Sequence, residues 1–367
     1  MRLCRFPVRS RGRTVAVGAA ALLTTALLSP GPADAHRRVG PMVVDLPVSF
    51  RVLDINRSLL PCPASGGPAT IAGRLVAPAA VLRHPRRAAN VTLYLHEFSF
   101  GKWFWDFADP AYDYAAIEAR AGHVSVLIDR LGYGQSSHPN GYTTCLGADA
   151  DEEHQIVTRL RAGSYQLQGA AARSFQRVVA AGHSGGAMDS EIEAYSFGDI
   201  NGLIIFAQAD QDPTSVGTQE GLSEGLECAL GGQPSYPGGP GGYAYFGQTT
   251  ADWERDYFHD AHPRVVAAAA ALRYRDPCGD VGSFVQGLIT DHLYAPRITV
   301  PVLLLYGLDD ALFAQPAAGE AERGLFSGSR DVSLTFFPGA GHALTLQRSA
   351  PAVRRRVGQW LNARGLG

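Results

Sequence analysis

Lysine is nearly missing from this 367-residue chain: Lys102 is the only one, and every other basic side chain is arginine or histidine. Charge of one sign is missing too. Lys and Arg total 32 against 34 Asp and Glu, a formal net charge of −2. That balance gives no electrostatic footprint for nucleic acid or an anionic membrane. The one arginine run after the N-terminal region, Arg354 to Arg356, reads as a solvated helix face. The cysteines contain no CxxC pair and the histidines no clustered spacing, so the pattern signals neither a metal site nor a bound cofactor. Apolar runs long enough to span a bilayer are also lacking, which leaves no stable membrane anchor. No internal repeat is visible. At 46% hydrophobic and 18% charged, the chain can bury a sizeable core in one large domain or two small ones.

The N-terminus has a composition of its own. Arg2, Arg5, Arg9, Arg11 and Arg13 form a basic region, Val15 to Leu28 an apolar run, and Ala33-Asp34-Ala35 a stretch of small residues. This is the layout of a secretory signal peptide over 1–35, cleaved near Ala35, and the expectation is a secreted protein. Cys4 leaves with it. Cys62, Cys145, Cys228 and Cys278 remain, an even number for an oxidising compartment. Of the three possible pairings, Cys228–Cys278 is favoured because both fall in one inserted segment, leaving Cys62–Cys145.

Strand and helix patterns alternate along most of the chain. Strands are expected over 43–54, 69–76, 90–97, 123–129, 177–182, 200–208, 300–307 and 332–337. Helices are expected over 109–121, 149–161, 165–176, 185–195, 317–326 and 352–363. Such alternation predicts an α/β fold with a doubly wound, mostly parallel sheet. Residues 210–291 break the rhythm with a Gly/Pro-rich loop, two cysteines and several aromatics. They are expected to form an inserted cap or lid on a core made of 36–209 and 292–367.

The chemistry concentrates in three places. Gly182-His183-Ser184-Gly185-Gly186 follows an apolar strand and precedes a helical stretch, the setting in which Gly-x-Ser-x-Gly lifts a serine clear of a sheet. The same pattern recurs at Gly221-Leu222-Ser223-Glu224-Gly225 with no strand before it, and Ser223 reads as a loop residue. Serine needs a base to become a nucleophile. His342, in the glycine-rich Phe337-Pro338-Gly339-Ala340-Gly341-His342, follows the last apolar strand and is the candidate. A carboxylate must orient that base. Gly307-Leu308-Asp309-Asp310 ends another strand, and Asp310 is preferred over Asp309.

With Asp129-Arg130-Leu131-Gly132-Tyr133-Gly134-Gln135-Ser136-Ser137, these motifs make the chain resemble the α/β-hydrolase superfamily over most of its length after residue 35. The resemblance implies the α/β-hydrolase fold and a triad of Ser184, Asp310 and His342, with Gly185 and Phe98 amides as an oxyanion hole. The sequence departs from that pattern at Glu97, which follows His96 where glycine is common. An inward carboxylate would oppose an oxyanion, so Glu97 is expected to point away, onto an arginine.

The expected function is a secreted serine hydrolase cleaving small carboxylic esters with a hydrophobic acyl or alcohol part. Aromatics in 243–258, with Phe98, Phe100, Trp103 and Phe104, could line an apolar pocket or form the core of the cap. Lactonase, thioesterase, peptidase and cofactor-free lyase chemistries share the scaffold. A catalytically inactive secreted binding protein is the reading from another class. Nothing in the sequence sets the oligomeric state.

Overall fold

The computed structural model describes residues 42–84 and 87–367, so the expected signal peptide lies outside the described residues. In chain order the elements are β1 (Val43–Leu53), β2 (Pro68–Pro78), α1 (Ala79–Arg83), β3 (Asn90–Leu95), α2 (Tyr114–Ala121), β4 (Ser125–Ile128) and α3 (Leu146–Ala162). Next come β5 (Gln166–Leu167), β6 (Arg177–His183), α4 (Gly185–Ser196), β7 (Leu203–Phe206), α5 (Ser215–Ala229), β8 (Tyr243–Ala244), α6 (Thr250–Tyr257) and α7 (Pro263–Ala270). The chain closes with β9 (Asp276–Pro277), α8 (Cys278–Tyr294), β10 (Val302–Gly307), α9 (Ala317–Leu325), β11 (Val332–Phe337) and α10 (Ala350–Ala363).

Nine strands form one sheet in the order β11-β10-β7-β6-β3-β4-β2-β1-β5. The six from β11 to β4 run parallel, and β2, β1 and β5 continue the sheet antiparallel. Parallel strands are covered on both faces and carry unbroken apolar runs. Accordingly Val178 to Ala181 in β6 and Val302 to Tyr306 in β10 are fully buried.

Chain order fixes where a ligand can sit. From β3 the sheet grows outward through β4, whereas β6, β7, β10 and β11 add successively on the other side of β3. The switch lies between β3 and β6, and the crevice beyond the carboxyl ends of such a pair is the binding place of open α/β sheets. His96 and Glu97 leave the end of β3 there, and His183 and Ser184 the end of β6.

The segment between β7 and β10 stays off the main sheet. It holds α5 to α8 and a two-stranded ribbon of β8 and β9. Cys228 pairs with Cys278 inside it and Cys62 with Cys145 in the core, at Cα separations of 5.4 and 6.2 Å.

Three local expectations need correction. Residues 165–176 are not a helix. Gln166–Leu167 pairs with the edge strand β1, Gly169 takes a left-handed φ of 78°, and the Arg173 guanidinium donates to the carbonyls of Val81 and Arg87. Tertiary hydrogen bonds there replace those of a helix. Ser223 is no loop residue but lies inside α5, which runs through three glycines with its N-terminus capped by Thr214. Arg354 is buried in α10 rather than solvated, near Glu118 and Tyr114, while Arg355 is exposed.

Arg130 joins core and insertion. Its guanidinium lies 2.6 Å from carboxylate oxygens of both Asp149 in α3 and Asp189 in α4, and 3.1 Å from Asp280 in α8. All four side chains are buried. Burial opposes the charge on Arg130, but the three carboxylates outweigh it and hold its pKa above the ordinary value. Removing one partner of such a group strands the others. Arg130→Met should therefore cost about 3–5 kcal/mol of stability, the range for breaking a buried pair. Urea unfolding at pH 7 checks this, and a loss within experimental error of zero would contradict it.

Candidate active site

The sharp corner after β6 is built by close approach. A Cβ on Gly182 would lie 2.1 Å from the Gly186 carbonyl oxygen, and one on Gly186 would lie 2.3 Å from that of His96. Only glycine lets α4 start so tightly against β6 and β3. Ser184, between them, takes φ 47° and ψ −119°, a left-handed φ that costs a non-glycine residue energy. Its N–H donates to Phe206 O at 2.8 Å, which ties the corner to β7. Ser184 lines a cavity of about 300 Å³ together with Glu97 and Phe98.

The loop after β3 is set by His96. The Arg130 N–H donates to His96 Nε2 at 3.0 Å, so Nε2 carries the lone pair and Nδ1 the proton, which goes to Glu97 O at 2.7 Å. Burial and the neighbouring Arg130 charge hold the His96 pKa well below its usual value, which keeps this neutral form. A trans peptide points its N–H opposite to its C=O. With the Glu97 carbonyl taken by His96, the Phe98 N–H faces the other way. Among the described residues, neither the Phe98 nor the Gly185 N–H donates to a protein acceptor.

Asp310 and His342 meet. His342 Nδ1 lies 2.8 Å from Asp310 Oδ2, and Asp310 Oδ1 accepts the N–H groups of Leu312 at 2.8 Å and Phe313 at 3.3 Å. Asp309 faces outward, 40% exposed, and accepts the Gly339 N–H. Asp309 sits in the turn that follows β10 and Asp310 just beyond it, and of the two Asp310 is the one that reaches the imidazole.

Glu97 contradicts the sequence expectation. It turns inward, fully buried, onto two imidazoles and no arginine: Oε1 lies 2.5 Å from His183 Nδ1 and Oε2 lies 3.3 Å from His342 Nε2. His183 Nε2 in turn sits 2.8 Å from the His342 backbone oxygen. An N–H on Nε2 donates there, because a carbonyl oxygen only accepts. Burial raises the Glu97 carboxyl, but the two histidines outweigh this and lower it below its usual range. Burial likewise lowers His342, and Asp310 and Glu97 reverse it, raising the imidazole to about 10. The signal for Glu97 was present in the sequence as a histidine on each side of it in space, His183 and His342. The strand order that brings them together was not.

Two groups of side chains have donor atoms within 4.8 Å of one another here: Glu97 with His183 and His342, and Glu191 with Asp210 and Asp291. In the first, Glu97 lies between the two imidazoles, 2.5 Å from His183 and 3.3 Å from His342. In the second, burial raises Asp210 to about 7, with His292 beside it working the other way.

Of the aromatics, Phe98, Phe246, Tyr257, Phe284 and Phe313 line the cavity, joined by Leu288 and Leu312. Phe100, Phe104 and Trp253 pack as core, with Phe100 5.1 Å from both Phe104 and Trp253 between ring centres. The apolar wall thus comes from both the β3 loop and the inserted segment.

A family model described as the alpha/beta hydrolase family matches residues 93–355. The chain belongs to that family. Its structure is similar to a thermophilic esterase from Thermogutta terrifontis, with 17% identity, a TM-score of 0.60, and 86% of this chain and 99% of that one covered. It is similar to a monoacylglycerol lipase from Paleococcus ferrophilus, with 17% identity, a TM-score of 0.56, and 76% and 96% covered. An enol-lactonase from Burkholderia xenovorans aligns with 15% identity, a TM-score of 0.56, and 80% and 97% covered. At these identities the likeness is one of fold. No curated protein matches the sequence.

The charge on His342 couples the site to stability. A folded pKa of about 10 against an unfolded 6.5 means that its contribution is fully present below pH 6.5 and is lost as pH rises through 10. Stability should therefore fall between pH 7 and 10, and Glu97→Gln should flatten that fall. Urea midpoints across this range check it; equal slopes for the two proteins would contradict it.

Proposed function

We propose that the protein is an exported serine hydrolase that cleaves carboxylic esters with a hydrophobic acyl or alcohol part. One observation carries the reading: a serine on a left-handed corner opens into an apolar cavity, in a chain that also buries a histidine already held by an aspartate. The two disulfides fit an oxidising compartment. Among the described residues no helix is long and apolar enough to cross a membrane.

In this mechanism His342 Nε2 takes the Ser184 proton as Oγ attacks the ester carbonyl. The tetrahedral oxyanion lies between the Gly185 and Phe98 N–H groups, which lack protein acceptors. His342 then delivers the proton to the leaving alcohol, and the acyl group stays on Ser184. Water, activated by the same nitrogen, releases the acid. Asp310 holds the Nδ1–H and stabilises the imidazolium throughout. The inserted segment acts as a cap that dries the chamber, which strengthens every charge interaction within it.

Glu97 modifies this scheme. With its carboxylate near Nε2, the resting imidazole holds its proton up to a pH of about 10 and must lose it before acting as a base. Hydrolysis of a neutral soluble ester should thus climb with pH through the alkaline range. Glu97→Gln should shift that limb toward neutrality and raise kcat/KM at pH 7 relative to its own plateau. Ser184→Ala should lower kcat/KM by at least about a thousandfold with unchanged thermal stability, the scale seen when one triad member is lost. A Ser184→Ala enzyme that keeps its activity, or pH profiles that coincide for the wild type and Glu97→Gln, would contradict the scheme.

A further inference from the structure

The helices α5 and α8 are inside out. Helix α5 buries Glu220 and Glu224, yet exposes Leu222, Leu226 and Leu230 by 70, 60 and 80%. Helix α8 buries Asp280 and Asp291, yet exposes Val285, Ile289 and Leu293 by 66, 60 and 65%. A helix facing water shows the reverse polarity. Residues four apart share one helix face, so each trio forms a ridge. The two helices pack together, and Cys228–Cys278 ties the last turn of α5 to the first residue of α8. No Asp, Glu, Lys or Arg of either helix is exposed. The face therefore offers nothing to a charged partner.

We propose that this face docks on an uncharged or zwitterionic lipid surface and that acyl chains pass from that surface into the Ser184 chamber. The substrate half of this inference rests on the ester-hydrolase reading; the docking half does not. Leu222 and Val285 belong both to the outward ridges and to the cavity wall, with Gly217, Gly221, Val281 and Leu288 beside them. Apolar surface thus runs unbroken from the exterior to the serine. A second copy of the chain would plug that entrance. Insertion of an apolar helix face into a lipid interface leaves the mouth of the cavity open to acyl chains, and its strength follows the apolar area buried.

The test uses the full exported chain carrying Ser184→Ala and vesicles of palmitoyl-oleoyl phosphatidylcholine, read by co-flotation. Binding is expected, unchanged by 0.5 M NaCl (roughly a 4–5 Å screening length). The added substitutions Leu226→Ser, Ile289→Ser and Leu293→Ser should weaken it at least tenfold. None of these three lines the cavity, so in the active enzyme they should leave kcat/KM on a soluble short-chain ester within twofold. Absent vesicle binding, or equal binding by the triple variant, overturns the proposal. So does a dimer in light scattering that the triple variant disperses, because the occupant would then be a second copy. Vesicle binding by a wild type that hydrolyses no ester would sink the hydrolase reading and leave the docking surface standing.

Discussion

The proposed chemistry depends on the contact between the Asp310 carboxylate and the His342 Nδ1, 2.8 Å apart and buried. A carboxylate out of water is costly unless hydrogen bonds satisfy it. Asp310 meets that demand with two backbone N–H groups on one oxygen and the imidazole on the other. The imidazole is thereby held by its Nδ1 edge, while its Nε2 edge meets the Glu97 carboxylate at 3.3 Å. Sheet topology places Glu97 and Ser184, which follow β3 and β6, at the switch in strand order.

Glu97 places a second carboxylate against the same imidazole, 3.3 Å from its Nε2. Such an arrangement favours the protonated form of His342, both at rest and in the tetrahedral intermediate of the proposed mechanism. It therefore stabilises charge separation at the expense of base strength, and the operating pH decides which effect prevails. His183 also reaches the His342 carbonyl, so Glu97 and the base are braced by one side chain.

The sheet strands and the sharp turn at Ser184 were legible because each rests on local pattern: apolar runs ending in glycine, and glycines where backbones touch. The direction of Glu97 was not, because it depends on His183 and His342, which only strand order brings near it. The helix expected over 165–176 failed for a related reason. Its residues satisfy their hydrogen bonds with β1 and with carbonyls of the 81–87 region, partners no window along the chain contains. The polarity of α5 and α8 was also hidden. A period of four is the same in sequence whether leucines face in or out, and only packing tells which side carries the acids.

The central claim is that Ser184 is a nucleophile activated by His342. Labelling the purified protein with a fluorophosphonate, followed by mass mapping of the modified peptide, tests it most directly. The account predicts one adduct per chain, on Ser184, lost in a folded His342→Ala variant. An unlabelled wild-type protein, or an adduct on any other residue, would contradict it.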